Sequence, residues 1–179
     1  MPRPSPEVLP FDVSNGWPAA LSGCVVTIRE TGVSLGSLDL DDAEWRVLRA
    51  EPVFSLRIDD HPETHGWTTI HPDGTKTHRE FEIPLTPVVV PPATLNHHDR
   101  AFWDWVMDTH GAEGRLLIWP ESRRWWMVQE PDLELVLTCA PPGLFADESD
   151  VLSWWDFGTP RGRQEVEELA ERYSVKWDE

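Results

Sequence analysis

Cysteine is scarce in this sequence, and it never occurs in the paired spacing that zinc and redox sites use. The only two cysteines, Cys24 and Cys139, are far apart in the chain, and each stands in an apolar, strand-like run. Without a Cys-x-x-Cys pair, the sequence carries no cysteine-based zinc motif, no thioredoxin-type motif and no disulfide framework. We expect two buried, inert thiols, and the sequence alone leaves open a disulfide between them.

Long apolar runs are also missing. No stretch of about 18 apolar residues is present that could cross a bilayer. The opening residues, MPRPSPEVLPFDV, lack the apolar segment of a secretory signal peptide. We therefore expect a cytoplasmic protein.

Positively charged residues are few. The chain has 15 Lys and Arg against 32 Asp and Glu, so its formal net charge at pH 7 is -17. This charge repels nucleic-acid phosphates and anionic lipid headgroups at long range, so we expect no direct nucleic-acid or membrane binding. The same charge attracts a cationic partner protein, although an acidic surface also serves solubility alone.

Several catalytic signatures are absent as well. The sequence contains no GxSxG, no Walker A motif, no GxGxxG and no HExxH. The apolar runs around both cysteines disfavour a reactive thiolate. The missing motifs therefore imply no cofactor. They leave open whether the protein is an enzyme, and they favour a non-catalytic protein.

What the chain does have is enough apolar and aromatic surface to fold. Its hydrophobic content is 40%, and 11 of its 179 residues are Trp. A disordered chain typically lacks this much apolar surface. Residues 1–10 are rich in Pro, which predicts an extended lead-in. Residues 11–179 are predicted to form a single domain.

Strand patterns dominate this domain. Residues 24–30 and 32–40 have the composition of N-terminal strands, and residues 53–59 alternate as a strand with one buried face would. The turn sequence HPDGTK predicts a hairpin over residues 67–83. Three apolar runs joined by short turns predict an antiparallel meander over residues 115–139, and in it the neighbours Trp125 and Trp126 must face opposite sides of the sheet.

Two or three helices are predicted to pack on this sheet. Asp41 and Glu44 have the spacing of a capping box before a short helix. A second helix is expected after Asn96, ending at Gly111, and a third begins at Pro160. The predicted fold class is α+β, with a mostly antiparallel sheet covered by helices.

One candidate site is a histidine and glutamate cluster. In the segment HPETHGW, the residues His61, Glu63 and His65 alternate, so an extended backbone would place them on one face. Two His and a carboxylate form a ligand set for zinc or a similar transition metal. The ordinary alternative is a surface loop, since Pro and Gly interrupt the segment.

A second candidate is the segment NHHDRAFWDW at the start of the second helix. His97 and His98 are adjacent, so on a helix their side chains point about 100° apart and cannot easily grip one ion together. A capped helix with a solvated charged face accounts for the segment. Either histidine could join the His61 cluster as a further ligand.

The Trp residues suggest a third kind of site. Trp is enriched at binding hot spots, and one Trp pair stands in an acidic segment, where carboxylates would steer a basic partner and the rings would supply buried area. The alternative is that these rings cap the edge of the core. The predicted partner-binding residues are Asp147, Glu148, Asp150, Trp154, Trp155 and Asp156.

In size, acidity and Trp content the chain resembles the bacterial immunity and antitoxin proteins that neutralise basic toxins, and the resemblance covers no motif. It implies a non-catalytic protein that masks a cationic partner. Two alternatives stay open. One is a metal-dependent hydrolase that uses the His/Glu cluster, and the other is a binder of carbohydrate or another small molecule through a Trp-lined site.

Overall fold

A six-stranded antiparallel sheet forms the centre of the fold, as a computed structural model shows. The structure describes residues 8–30, 38, 40–59, 64–95, 99–111, 114–131, 133, 135–145 and 160–175. The elements in chain order are β1 (Val13–Ser14), β2 (Trp17–Pro18), β3 (Val25–Glu30), α1 (Asp42–Arg49), β4 (Val53–Arg57), β5 (Thr64–Ile70), β6 (Lys76–Glu82), β7 (Val88–Val89), a 3-10 helix (Pro92–Leu95), α2 (Asp99–His110), β8 (Leu116–Pro120), β9 (Trp126–Glu130), β10 (Leu135–Ala140) and α3 (Pro160–Tyr173).

The strand order in the central sheet is β3-β10-β9-β8-β4-β7, and every neighbouring pair is antiparallel. Strands β8, β9 and β10 form the predicted meander. Strands β5 and β6 form the predicted hairpin as a separate two-stranded sheet, and β1 and β2 form another. The α+β prediction is confirmed. The predicted strand over residues 32–40 falls mostly outside the described residues.

The central sheet is buried on both faces. Its inner strands carry apolar side chains on both sides of the sheet, which is typical of strands that are covered by helices. On β8, Leu117 belongs to one core cluster and Leu116 to the other. Trp126, the first residue of β9, and Trp125 just before it are divided in the same way, and both are 0% exposed. Adjacent residues of a strand point to opposite faces, so these two rings fill two separate cores, as the sequence predicts.

The helices are divided between the two faces. Helix α3 contributes Val166 and Leu169 to the core that contains Trp126. Helices α1 and α2 contribute Trp45 and Phe102 to the core that contains Trp125. The sheet is therefore the middle layer of three, with α3 on one side and α1 and α2 on the other.

Helix α1 begins with the predicted capping box. The Asp41 carboxylate accepts hydrogen bonds from the backbone amides of Ala43 and Glu44 at 2.7 and 2.8 Å, and the Glu44 carboxylate accepts one from the Asp41 amide at 2.9 Å. Glu44 is also buried and forms an ion pair with Arg29 at 2.9 Å. One side chain therefore caps the helix and ties it to β3.

The prediction that β4 buries only one face is wrong. Ser55 and Arg57, on the side expected to face solvent, are 0% and 1% exposed. The reason is that the Arg57 guanidinium donates to backbone carbonyls where α2 ends: its Nε to His110 at 3.3 Å, and its terminal nitrogens to Gly111 and Gly114. A charged side chain can be buried when it is fully hydrogen-bonded, and the last carbonyls of a helix attract a cation.

Candidate functional site

A cavity of about 300 Å³ lies between the β1–β2 hairpin and α3. This volume is at the lower end of the range for small-ligand pockets, and it can also receive a side chain of a partner protein. The lining combines charges of both signs with an aromatic ring and an amide. The lining residues are Asn15, Trp17, Arg115, Glu165, Glu168, Leu169 and Arg172.

The hairpin side of the cavity depends on a tight turn. Ser14 pairs with Trp17 across the turn, and the two central residues, Asn15 and Gly16, have φ angles of 53° and 75°. Asn-Gly favours this left-handed pair of angles, which suits a two-residue hairpin. A Cβ atom at Gly16 would lie 2.5 Å from Arg115 Nη1. Glycine suits this position because of its positive φ, and any larger residue would also displace the end of the Arg115 side chain.

Arg115 is the floor of the cavity. Its guanidinium carbon lies 4.3 Å from the centre of the Trp17 ring, and its Nε lies 2.5 Å from the Glu130 carboxylate. The Glu130 side chain is 5% exposed and the Arg115 side chain 23%. The cation is therefore held between an aromatic face and a buried carboxylate, which fixes its position and neutralises much of its charge.

Helix α3 is fastened to the hairpin by two neighbouring residues. Arg172 donates to Ser14 Oγ at 2.8 Å and to the Trp17 carbonyl at 3.2 Å. The Tyr173 hydroxyl donates to the Pro18 carbonyl at 2.8 Å, and burial raises the pKa of Tyr173 to about 12. These bonds fix the width of the cavity.

The carboxylates of α3 give the cavity its acidic rim. Glu165 and Glu168 line the cavity. Glu167, Glu168 and Glu171 are exposed. The buried residues of α3, by contrast, are apolar. On the side formed by α3, the cavity is thus bordered by two carboxylates, Glu165 and Glu168, and by the guanidinium of Arg172.

A serine and histidine pair elsewhere in the fold has the distance of a catalytic pair but not the exposure. Ser55 Oγ lies 2.8 Å from His110 Nε2, and both residues are 0% exposed. A nucleophile and its base must reach a substrate. In this conformation neither side chain can contact a dissolved molecule, and their role is to join β4 to the end of α2.

Of the predicted metal ligands, the structure describes only His65, while His61 and Glu63 lie outside the described residues. The His65 ring lies 6.2 Å from Trp67 and 5.7 Å from Phe81, measured between ring centres. Among the residues that the structure describes, no three His, Cys, Asp or Glu side chains cluster in a way that could hold a metal ion. The ligand set stays a prediction.

The two further histidines of the hairpin do not join His65. His78 pairs with Thr68 across the strands and lies 3.2 Å from its hydroxyl, on the face of the hairpin opposite to His65. His71 lies 2.8 Å from the hydroxyl of Thr77 in the turn. Each of these rings therefore has a local hydrogen-bond partner.

The other predicted sites also fall outside the part of the chain that the structure describes. These include Asn96, His97 and His98 at the start of the second helix, of which the structure describes the portion from Asp99. They also include all of the predicted partner-binding residues, Asp147, Glu148, Asp150, Trp154, Trp155 and Asp156. Both sets stay predictions.

Sequence reasoning missed the residues that form the cavity. The turn was detectable, since Asn15–Gly16 between short apolar stretches is among the strongest local hairpin signals. The position of Arg115 was not detectable, because its contacts with Trp17 and Glu130 depend on how distant segments pack. Cys24 also differs from the prediction, because it is only partly buried, whereas Cys139 is buried as expected.

No helix in the described ranges is long and apolar enough to cross a membrane. The chain matches no family model, no curated protein and no solved structure.

Proposed function

We propose that this protein is a non-catalytic acidic binding protein that masks a cationic partner protein, in the manner of an immunity or antitoxin protein that inhibits a basic toxin. The observation that carries the proposal is the row of exposed carboxylates on α3 beside the cavity. The proposed compartment is the cytoplasm.

The placement of the arginines supports this proposal. Arg57 is 1% exposed, and Arg29 and Arg115 form ion pairs with buried glutamates. The positive charge of these residues is largely compensated inside the protein, and they present little of it to solvent. Two of these three arginines are paired with a buried carboxylate, so the net charge at the surface stays close to the formal value of -17, and a field of this sign accelerates encounter with a cationic protein.

The geometry of α3 suggests how such a partner would be held. A lysine or arginine side chain that enters the cavity would bind on the side of Glu165 and Glu168, away from Arg172, which is held against the β1–β2 hairpin. Glu167 and Glu171 would face the basic surface around it. The predicted acidic segment with Trp154 and Trp155 precedes α3 in the chain. In this proposal, that segment adds apolar area to the electrostatic contact.

The test compares two variants with the same change in net charge. The first carries Glu167→Gln, Glu168→Gln and Glu171→Gln on α3. The matched control carries Glu80→Gln, Glu82→Gln and Glu121→Gln, which are also exposed but lie on the β5–β6 hairpin and in the β8–β9 turn. Each protein is immobilised and exposed to extract from the natural host at low and high salt, and retained proteins are identified by mass spectrometry.

We expect a basic protein that the wild type and the control retain at low salt and that the α3 variant loses. Its binding should weaken as salt rises, because exposed charges are screened within about 10 Å at 0.1 M salt. If the two variants retain the same amount of this protein, the position of the removed carboxylates makes no difference to binding, and the proposed face on α3 is wrong. If no basic protein is retained by the wild type, the proposed function itself is refuted.

A third variant addresses the acidic segment. It replaces Asp147, Asp150 and Asp156 with Asn and Glu148 with Gln. We expect it to weaken retention of the same basic protein. Unchanged retention and unchanged salt dependence would remove this segment from the binding face while leaving α3 in place.

A further inference from the structure

The only two cysteines of the chain lie next to each other in the fold. Cys139 on β10 pairs with Val26 on β3, and Cys24 stands two residues before Val26. Residues two apart along an extended strand share a face, and Cys24 and Cys139 pack in the same core cluster. Cys24 contributes to the raised pKa of the Cys139 thiol, after the larger effect of burial.

The two thiols differ in access. Cys139 is 0% exposed, and its sulfur accepts a hydrogen bond from the Leu21 amide at 3.3 Å. Cys24 is partly exposed, and its thiol points toward the Arg124 carbonyl at 3.8 Å. A reagent in solution therefore meets Cys24 first, with Cys139 directly behind it.

The backbone around Cys24 allows the sulfurs to approach. Cys24 ends a turn in which its amide donates to the Leu21 carbonyl at 3.1 Å and Gly23 has a φ of 74°. It precedes Val25, the first residue of β3 that pairs with β10. Cys24 therefore lies outside the ladder of hydrogen bonds between β3 and β10, so a movement of the turn toward Cys139 does not require that ladder to break.

We propose that Cys24 and Cys139 form a reversible intramolecular disulfide when the protein meets a low-molecular-weight disulfide such as oxidised glutathione, which ties the Leu21–Cys24 turn to β10. This turn follows the β1–β2 hairpin closely in the chain, so the bond would anchor one wall of the cavity. The proposal does not depend on the proposed function.

The chemistry takes two exchange steps. In the first, the Cys24 thiolate attacks one sulfur of oxidised glutathione, and one glutathione thiolate leaves while a mixed disulfide forms on Cys24. In the second, the Cys139 thiolate attacks the Cys24 sulfur and expels the second glutathione. The protein loses two protons and two electrons, and one disulfide of the oxidant becomes two thiols.

The second step carries a pH signature. Burial raises the pKa of the Cys139 thiol to about 11. Because the thiolate is the attacking form, the rate of closure should rise about tenfold for each pH unit between pH 7 and pH 10. At neutral pH the mixed disulfide on Cys24 should therefore accumulate before the ring closes.

The experiment follows the full-length protein by intact mass after addition of oxidised glutathione, at several pH values. Non-reducing peptide mapping locates the bonds. For the wild type we expect a glutathione adduct on Cys24 that converts to a species lighter than the reduced protein by two hydrogens, faster at higher pH. Dithiothreitol should restore both thiols.

Two variants serve as controls. Cys24→Ser should take up no glutathione, because Cys139 is shielded, and Cys139→Ala should stop at the adduct on Cys24. Three results in the wild type would overturn the proposal: no reaction at either thiol, a Cys24 adduct that persists at pH 10, or a Cys24–Cys24 bond between two chains. Each is read on the wild type itself, so the conclusion does not require the variants to fold.

Discussion

Replacing Arg57 with methionine should destabilise the protein more than any surface substitution, because its guanidinium donates hydrogen bonds to three backbone carbonyls where α2 ends. The side chain is 1% exposed and donates to the carbonyls of His110, Gly111 and Gly114. Methionine can fill much of the volume, so the loss should come chiefly from hydrogen bonding. Unlike the partner in a side-chain ion pair, these backbone carbonyls cannot be replaced along with the charge.

The magnitude follows from which carbonyls stay buried. His110 and Gly111 are buried, whereas Gly114 is partly exposed and its carbonyl can recover a water molecule. A buried polar group that loses its partner costs about 1–3 kcal/mol, and more when the partner is charged. We therefore expect Arg57→Met to lower the free energy of unfolding by about 3–5 kcal/mol, against a typical total of about 5–15 kcal/mol.

Urea denaturation followed by far-UV circular dichroism measures this difference. Arg57→Lys keeps the charge but loses the planar fork, so it should lie between the wild type and Arg57→Met. The control is Arg100→Met on α2, where the side chain is 88% exposed and its ion pair with Asp104 spans 3.7 Å. This control should change stability by less than about 0.5 kcal/mol. A loss below about 1 kcal/mol for Arg57→Met would refute the reasoning.

Two further predictions concern the capping box and the single tyrosine. Asp41→Ala removes the side chain that accepts the first amides of α1 and should lower the free energy of unfolding by about 1 kcal/mol in urea, with Asp42→Ala as a smaller neighbouring change. Burial raises the pKa of Tyr173 from 10.0 to about 12. The folded state thus holds the phenol proton more tightly, so this contribution to stability is complete below pH 10 and is lost between pH 10 and pH 12. Absorbance of the phenolate reports on Tyr173 alone, and a midpoint near 10 in the folded protein would contradict this account.

Local signals predicted the elements whose causes are local. The cap of α1 depends on Asp41 and Glu44, which are three residues apart, and the β8–β10 meander follows from apolar runs joined by short turns. The β5–β6 hairpin was likewise predicted from a local signal, the turn sequence HPDGTK. In each case the physical cause lies within a few residues and can be read in the sequence.

The misses come from contacts between distant segments. The alternating pattern of β4 predicted that Arg57 faces solvent, because a charged residue in such a pattern is usually exposed. The pattern does not show that the end of α2 covers Arg57 in the fold. The adjacency of Cys24 and Cys139 depends on the pairing of β3 with β10, the two strands farthest apart in sequence within the central sheet. The candidate cavity needed the same kind of information, since Trp17, Arg115 and Arg172 come from three separate segments.

The burial of β8 and β9 on both faces has a consequence for strand alignment. In a sheet with one wet face, a slip of one residue moves polar side chains into the core, and this cost holds the strands in place. Here a slip would merely exchange Trp125 for Trp126, so the alternation offers little resistance. The ion pair of Arg115 with Glu130 stands at the end of these strands and would break on any slip. The ion pair at the floor of the cavity thus also fixes the alignment of β8 with β9.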